Sequence, residues 1–118
     1  MKRNYLPPDY LAETRHHNVL MTVHCEAEWD QNDPVGETCW LTQVHRQFGF
    51  PNALVAHAWF HVPDAEETLA AQAAFDLVRG IRSKPVTAKS PREIVRGAAG
   101  TMQDEAWLRG FSLLEKYR

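Results

Sequence analysis

Cysteine is scarce in this sequence. Two residues, Cys25 and Cys39, among 118 cannot build a disulfide scaffold, and no C-x-x-C pair is present for metal or redox work. No apolar run approaches the roughly 18–20 residues that a bilayer-crossing helix needs, so no membrane partner is expected. The basic start Met1-Lys2-Arg3-Asn4-Tyr5 runs into Pro7, Pro8 and Asp9, where a signal peptide needs its apolar stretch. That pattern predicts a cytoplasmic protein with reduced thiols. G-x-S-x-G, a phosphate-cradling glycine loop, the dinucleotide fingerprint and H-E-x-x-H are all missing, and no cofactor is implied.

What is present is ordinary for a folded domain: 44% hydrophobic, 24% charged, with four Trp, three Tyr and five Phe. This length buries a core without staples. A single domain over 1–118 is expected, with 1–17 loosely ordered around Pro7-Pro8 and one short helix that Asp9 could cap through Leu11 to His16. The net charge of −2 hides a polarity. Residues 1–78 hold eleven acids and four bases; residues 79–118 hold nine bases and four acids. Arg79, Arg82, Lys84, Lys89, Arg92 and Arg96 carry most of the excess. Such a run either meets an anionic partner or lies against the acidic half of the same chain.

Val19 to Trp29 alternates: Val19, Met21, Val23, Cys25, Ala27 and Trp29 form the dry side of a strand, and Leu20, Thr22, His24, Glu26 and Glu28 the other. Ala53 to Val62 alternates likewise, with Val55, His57, Trp59 and His61 on one side. Pro63 closes that run. Asp64 with Glu67 then opens a helix faced by Leu69, Ala73, Leu77, Val78 and Ile81. Ser90-Pro91-Arg92-Glu93 reads as a helix start. Thr101 reads as the cap of a last helix, whose Asp104, Glu105, Lys116 and Arg118 suit the macrodipole.

Glu37 to Gln47 admits two readings. As a strand it alternates Thr38, Trp40, Thr42 and Val44 with Cys39, Leu41, Gln43 and His45, residue types that favour a sheet. As a helix it has Asp33 as cap, Pro34 in the first turn, Gly49 just past the end and a Trp40, Leu41, Val44, Phe48 stripe. The strand reading gives an α+β fold: a three-stranded antiparallel meander (about 18–29, 37–47 and 53–62) on C-terminal helices (about 64–80, 91–98 and 102–117). The helix reading gives β-α-β followed by helices.

In the strand reading, His24, His45, His57 and His61 share one sheet face with Trp59, because strand side chains alternate. That face is expected to contact a macromolecule, with His57, Trp59 and His61 as anchors and His24 and His45 beside them. Binding should then weaken below about pH 6, as imidazoles charge. A metal would need His57 with His24 or His45 and Glu26, since two histidines four apart in a strand lie roughly 13 Å apart. Cys25 reads as a core residue, and Cys39 has no base at a workable spacing. Glu26 and Glu28 read as solvated charge. Lys89, Ser90, Arg92 and Arg96 form a second expected site, where a helix start and flanking cations favour an anion.

Two stretches resemble known modules. Leu41-Thr42-Gln43-Val44-His45-Arg46-Gln47-Phe48-Gly49-Phe50 resembles the first helix and turn of a helix-turn-helix, which implies a second helix over 52–59. It departs at His45, where that motif carries a small residue. The order short helix, three strands, helix over about 9–80 is similar to a double-stranded-RNA-binding domain, but Asp64-Ala65-Glu66-Glu67 stands where that family has phosphate-binding lysines. The resulting expectation is a small non-enzymatic binding protein with a protein partner or a second copy of itself. A nucleic-acid-binding regulator using 79–96 and a metal-dependent enzyme using the histidine face are the alternatives.

Overall fold

A computed structural model describes residues 4–117. The ambiguous segment is a helix, α2 (Gly36–Phe48). The Asp33 carboxylate accepts from the Gly36 N–H at 2.9 Å. Gly49 ends the helix at φ 77°, a left-handed conformation that costs a residue without Cβ little. Thr38, Leu41 and Val44 are buried on one side, the three-and-four spacing of a helix lying on a sheet. Burial and two end signals together outweigh the strand preference of Thr, Val and Trp.

A helix here turns the expected hairpin into a crossover. The strands β1 (Val23–Cys25) and β2 (Ala53–His57) run parallel, with Val23, His24 and Cys25 opposite Ala53, Leu54 and Val55. After α3 (Ala65–Ala73) comes a third strand, β3 (Val78–Arg82), also parallel, which brings His57 opposite Arg82. The antiparallel meander is therefore overturned: all three strands are parallel, in the order β1-β2-β3. The alternative of β-α-β followed only by helices lacks β3. Leu77, Val78 and Ile81 continue the apolar spacing of α3, which hides the change to a strand at Val78-Arg79-Gly80-Ile81-Arg82. Residues 52–59, a helix in the helix-turn-helix resemblance, contain β2, and the RNA-binding-domain order loses its middle strand to α2.

Consecutive parallel strands joined by right-handed crossovers carry their helices on one side. Here α2 and α3 are joined by the Thr38 hydroxyl, which donates to Gln72 Oε1 at 2.7 Å. Leu54, Ala56, Ala58 and Leu69 are buried beneath them. α4 (Glu105–Ser112) completes the cover, with Trp107 edge-on to Phe60 at 5.2 Å and Ile81, Leu113, Leu114 and Tyr117 around it. A Cβ on Gly110 would stand 2.0 Å from the Phe60 carbonyl oxygen, so the helix backbone lies directly on the chain leaving β2.

The ends differ from expectation too. Asp104, not Thr101, caps α4, accepting from Ala106 N at 3.0 Å and Gly100 N at 2.7 Å. Those two N–H groups hold its carboxyl below the usual value. The helix expected over 91–98 is one 3₁₀ turn, Pro91–Glu93, and the last helix shortens to α4 plus the turn Leu113–Glu115. The N-terminal helix α1 spans Pro7–Glu13, with Asp9 accepting from the Leu6 N–H at 2.9 Å as an in-helix cap.

The other side of the sheet is open. Paired residues of parallel strands point the same way, so Val23, Cys25 and Val55 share this side. Val23 is 66% exposed, and Leu20 and Met21 before it are exposed as well. The alternation along β1 is as the sequence has it, but its sides are exchanged. The apolar series faces out, Cys25 is exposed rather than in the core, and Glu26 is buried. No helix among the described residues is long and apolar enough to cross a membrane.

Candidate functional site

Each strand delivers one ionisable side chain to the carboxyl edge of the sheet. Glu26 follows β1, His57 ends β2 and Arg82 ends β3. The chain leaves β1 with the Glu26 N–H still donating to Val55 O at 2.9 Å, which holds Glu26 against β2. Its carboxylate is 3% exposed with its residue and accepts from Arg82 Nε at 2.6 Å, while Arg82 Nη2 also donates to the Glu26 carbonyl at 3.0 Å. Glu28 adopts φ 57°, turning its N–H back onto Glu26 Oε2 at 2.9 Å. Burial alone would push the Glu26 carboxyl up. The Glu28 N–H and the Arg82 guanidinium outweigh it and hold the group below its ordinary value, so Glu26 is an anion.

His57 stands beside that anion. Its Nδ1 lies 3.9 Å from Glu26 Oε2, and the residue is buried. This nitrogen has no hydrogen-bond partner among the described residues. Trp59 packs edge-on to the imidazole at 4.6 Å, and His61 follows at 5.8 Å from Trp59. Lys84 bonds Glu28 and lies 3.7 Å from Glu26. Beside them lies a cleft lined by Glu28, Trp29, Asp30, Gln31, Pro34, Glu37, His57, Trp59 and Lys84. The cleft holds about 330 Å³, mouth included, of which about 20 Å³ takes the centre of a water molecule. That is room for one water or one small group of a ligand. Trp29 is steadied by stacking on Trp40 of α2 at 5.8 Å.

The four histidines expected on one face are dispersed. His57 and His61 stay together through Trp59. His24 pairs with Leu54, which puts it on the helix-covered side, where its Nε2 meets Glu37 Oε1 of α2 at 2.8 Å. Glu37 is buried and also accepts from the Ala27 N–H at 2.9 Å. His45 lies on α2 with Nδ1 2.7 Å from the Pro51 carbonyl, which can only accept, so Nδ1 carries the proton. The shared histidine surface is lost because α2 coils and takes His45 out of the sheet. Among the described residues no group of three or more His, Cys, Asp or Glu is placed to hold a metal ion. The candidates His24, His45, His57 and Glu26 do not converge.

The second expected site is placed differently again. Lys89, Arg92 and Arg96 are exposed. Ser90 donates its hydroxyl to Glu93 at 2.9 Å and caps no backbone. A three-residue 3₁₀ turn has no macrodipole to offer an anion. Arg82 and Lys84, from the same basic run, turn inward to Glu26 and Glu28. Of the two expectations for the basic run, lying against the acidic half of the chain holds for Arg82 and Lys84, although their partners Glu26 and Glu28 read as solvated charge in the sequence. The signal was the match between an acidic stretch at 26–30 and a basic one at 79–84.

The chain is 35% identical over 82 residues to the uncharacterized protein y4mH of Sinorhizobium fredii (strain NBRC 101917 / NGR234). The match takes in 70% of this chain but spans only 28% of that protein. No protein-family description and no solved structure matches the chain.

Proposed function

We propose that the carboxyl edge of this sheet is a small-molecule site in which His57 exchanges a proton with the ligand. In parallel sheets, ligands bind beyond the carboxyl ends of the strands, where successive loops converge. One observation carries the reading. Three neighbouring strands bring together a buried Glu26, a buried His57 and a half-exposed Arg82, and leave His57 Nδ1 unpaired among the described residues beside an anion. A carboxylate held ionised by Arg82 would stabilise the imidazolium formed when His57 takes a proton. Lys84, which lines the cleft, would neutralise an anionic ligand group, and Trp29 and Trp59 would exclude water.

The topology supports an enzyme-like frame. Sheets of consecutive parallel strands are ordinarily covered on both faces, and an apolar open side fits that habit. A relative of about 290 residues, of which 82 residues are 28%, has the length at which such βα steps close into an eight-fold barrel. The test is protein-observed NMR with a panel of small carboxylic acids, esters and amides. Ligands should shift the His57 and Trp59 ring resonances, and His57→Asn should remove binding. Binding that persists unchanged in that variant would end the proposal.

A second reading keeps a macromolecular contact but moves it to the exposed apolar residues in and before β1, Leu20, Met21 and Val23, which are 75%, 74% and 66% exposed. Contiguous exposed apolar surface is a mark of a protein interface or of self-association. Sedimentation of the protein and of Met21→Glu would test it, with association lost in the variant and a concentration-independent monomer as the contrary result.

A further inference from the structure

One residue that does not line the candidate cleft bonds two residues that do. Gln72 of α3 is 0% exposed. Its Nε2 donates to the Pro34 carbonyl at 2.9 Å and to the His57 carbonyl at 3.0 Å, while its Oε1 accepts from Thr38. Carbonyls cannot donate, so the NH₂ end must face Pro34 and His57, and the amide has one orientation here. Pro34 and His57 both line the cleft, one from the β1–α2 loop and the other from the end of β2. We infer that Gln72 is a positioning residue: one side-chain amide ties the β1–α2 loop to the end of β2 and sets where the imidazole stands.

The role needs a side chain that donates twice. Proline has no N–H, so the loop at Pro34 offers only its carbonyl, and the bond must come from a donor outside. The His57 carbonyl lies at the end of the strand, where the ladder stops at its pairing with Arg82. A single NH₂ group with two hydrogens about 120° apart meets both needs at once, which hydroxyl or indole donors cannot do. Both carbonyls are reached from the helix-covered side, so the open face of His57 stays clear for a ligand. The inference rests on the cleft being the functional site, but its geometric part stands alone.

The test is the ring resonances of His57 and Trp59 by NMR in the full chain, comparing Gln72→Leu with Leu69→Ala. Leu69 lies on the same helix and is 2% exposed, so its truncation destabilises the fold without touching either carbonyl. Gln72→Leu should shift both rings and Leu69→Ala should not, at matched or greater loss of stability. If Gln72→Leu does not fold, Gln72→Met decides, since it keeps the length of the side chain and removes the NH₂ that meets the two carbonyls. Unmoved rings in a folded Gln72→Leu or in Gln72→Met, or equal shifts in Leu69→Ala, would overturn the inference. His57→Asn separates the two ideas. A variant that still binds ligands, beside a Gln72→Leu that moves the imidazole, ends the functional reading and keeps the positioning role.

Discussion

The basic run from Arg79 to Arg96 divides into two unlike regions. Arg82 and Lys84 turn in toward Glu26 and Glu28 at the sheet edge, whereas Lys89, Arg92 and Arg96 stay in solvent on a loop with one 3₁₀ turn. Equal charge density in sequence thus gives different physics. At the strand ends, a buried carboxylate fixes the guanidinium, and the site gains a stable field. On the loop, water screens the cations and no backbone dipole adds to them. Charge counts locate a patch, but burial of the opposite partner decides whether it is structural.

The widest break in this comparison would come from the helix that follows the loop. Gly110→Ala forces a Cβ onto the Phe60 carbonyl and should cost about 3 kcal/mol, read by urea unfolding. Glu26→Gln should cost about 1–3 kcal/mol, because Arg82 loses its partner yet is exposed enough to recover water. The sign with pH follows from the lowered Glu26 carboxyl. Its contribution is complete above the ordinary value of 4.5 and is lost as the pH falls through the lower folded value. Urea midpoints of wild type and Glu26→Gln should therefore differ most at neutral pH and converge in acid. A gap that persists at pH 2 would mean the pair is not its source.

His57→Asn should change stability by less than about 1 kcal/mol while removing small-ligand binding, which separates function from folding at the same edge. The smallest effect belongs to the loop. Arg92→Ala with Arg96→Ala should leave stability within about 0.5 kcal/mol of wild type. A nucleic-acid-binding role for 79–96 predicts steeply salt-dependent binding to DNA or RNA that this double variant loses. Fluorescence anisotropy with a labelled oligonucleotide reads that directly, and absence of binding at low salt would remove the role.

How much of this was legible varies by element. The alternation at Val23-His24-Cys25 and at Ala53–His57 is plain, and both are strands. The direction of pairing is not in the alternation, because a period of two is the same for parallel and antiparallel neighbours. It depends on whether 36–48 crosses over or turns back. That segment carries strand-type residues at helical spacing, and the end signals Asp33 and Gly49 were the better guide. β3 was hidden because Leu77, Val78 and Ile81 extend the spacing of α3 by coincidence. The candidate site was half legible. His57, Trp59 and His61 belong to one stretch and stay neighbours. Glu26, Arg82 and Gln72 come from three separate segments, and nothing local joins them.

Local chemistry was enough to settle which segments alternate and which residues carry charge. Those properties depend on neighbours within a few positions, where sterics and hydrogen bonding act directly. Which side of β1 faces water, and which of the basic residues meets an acid, came only with the fold. Burial is a property of what lies opposite in space, and here the opposite residues are up to 56 positions away.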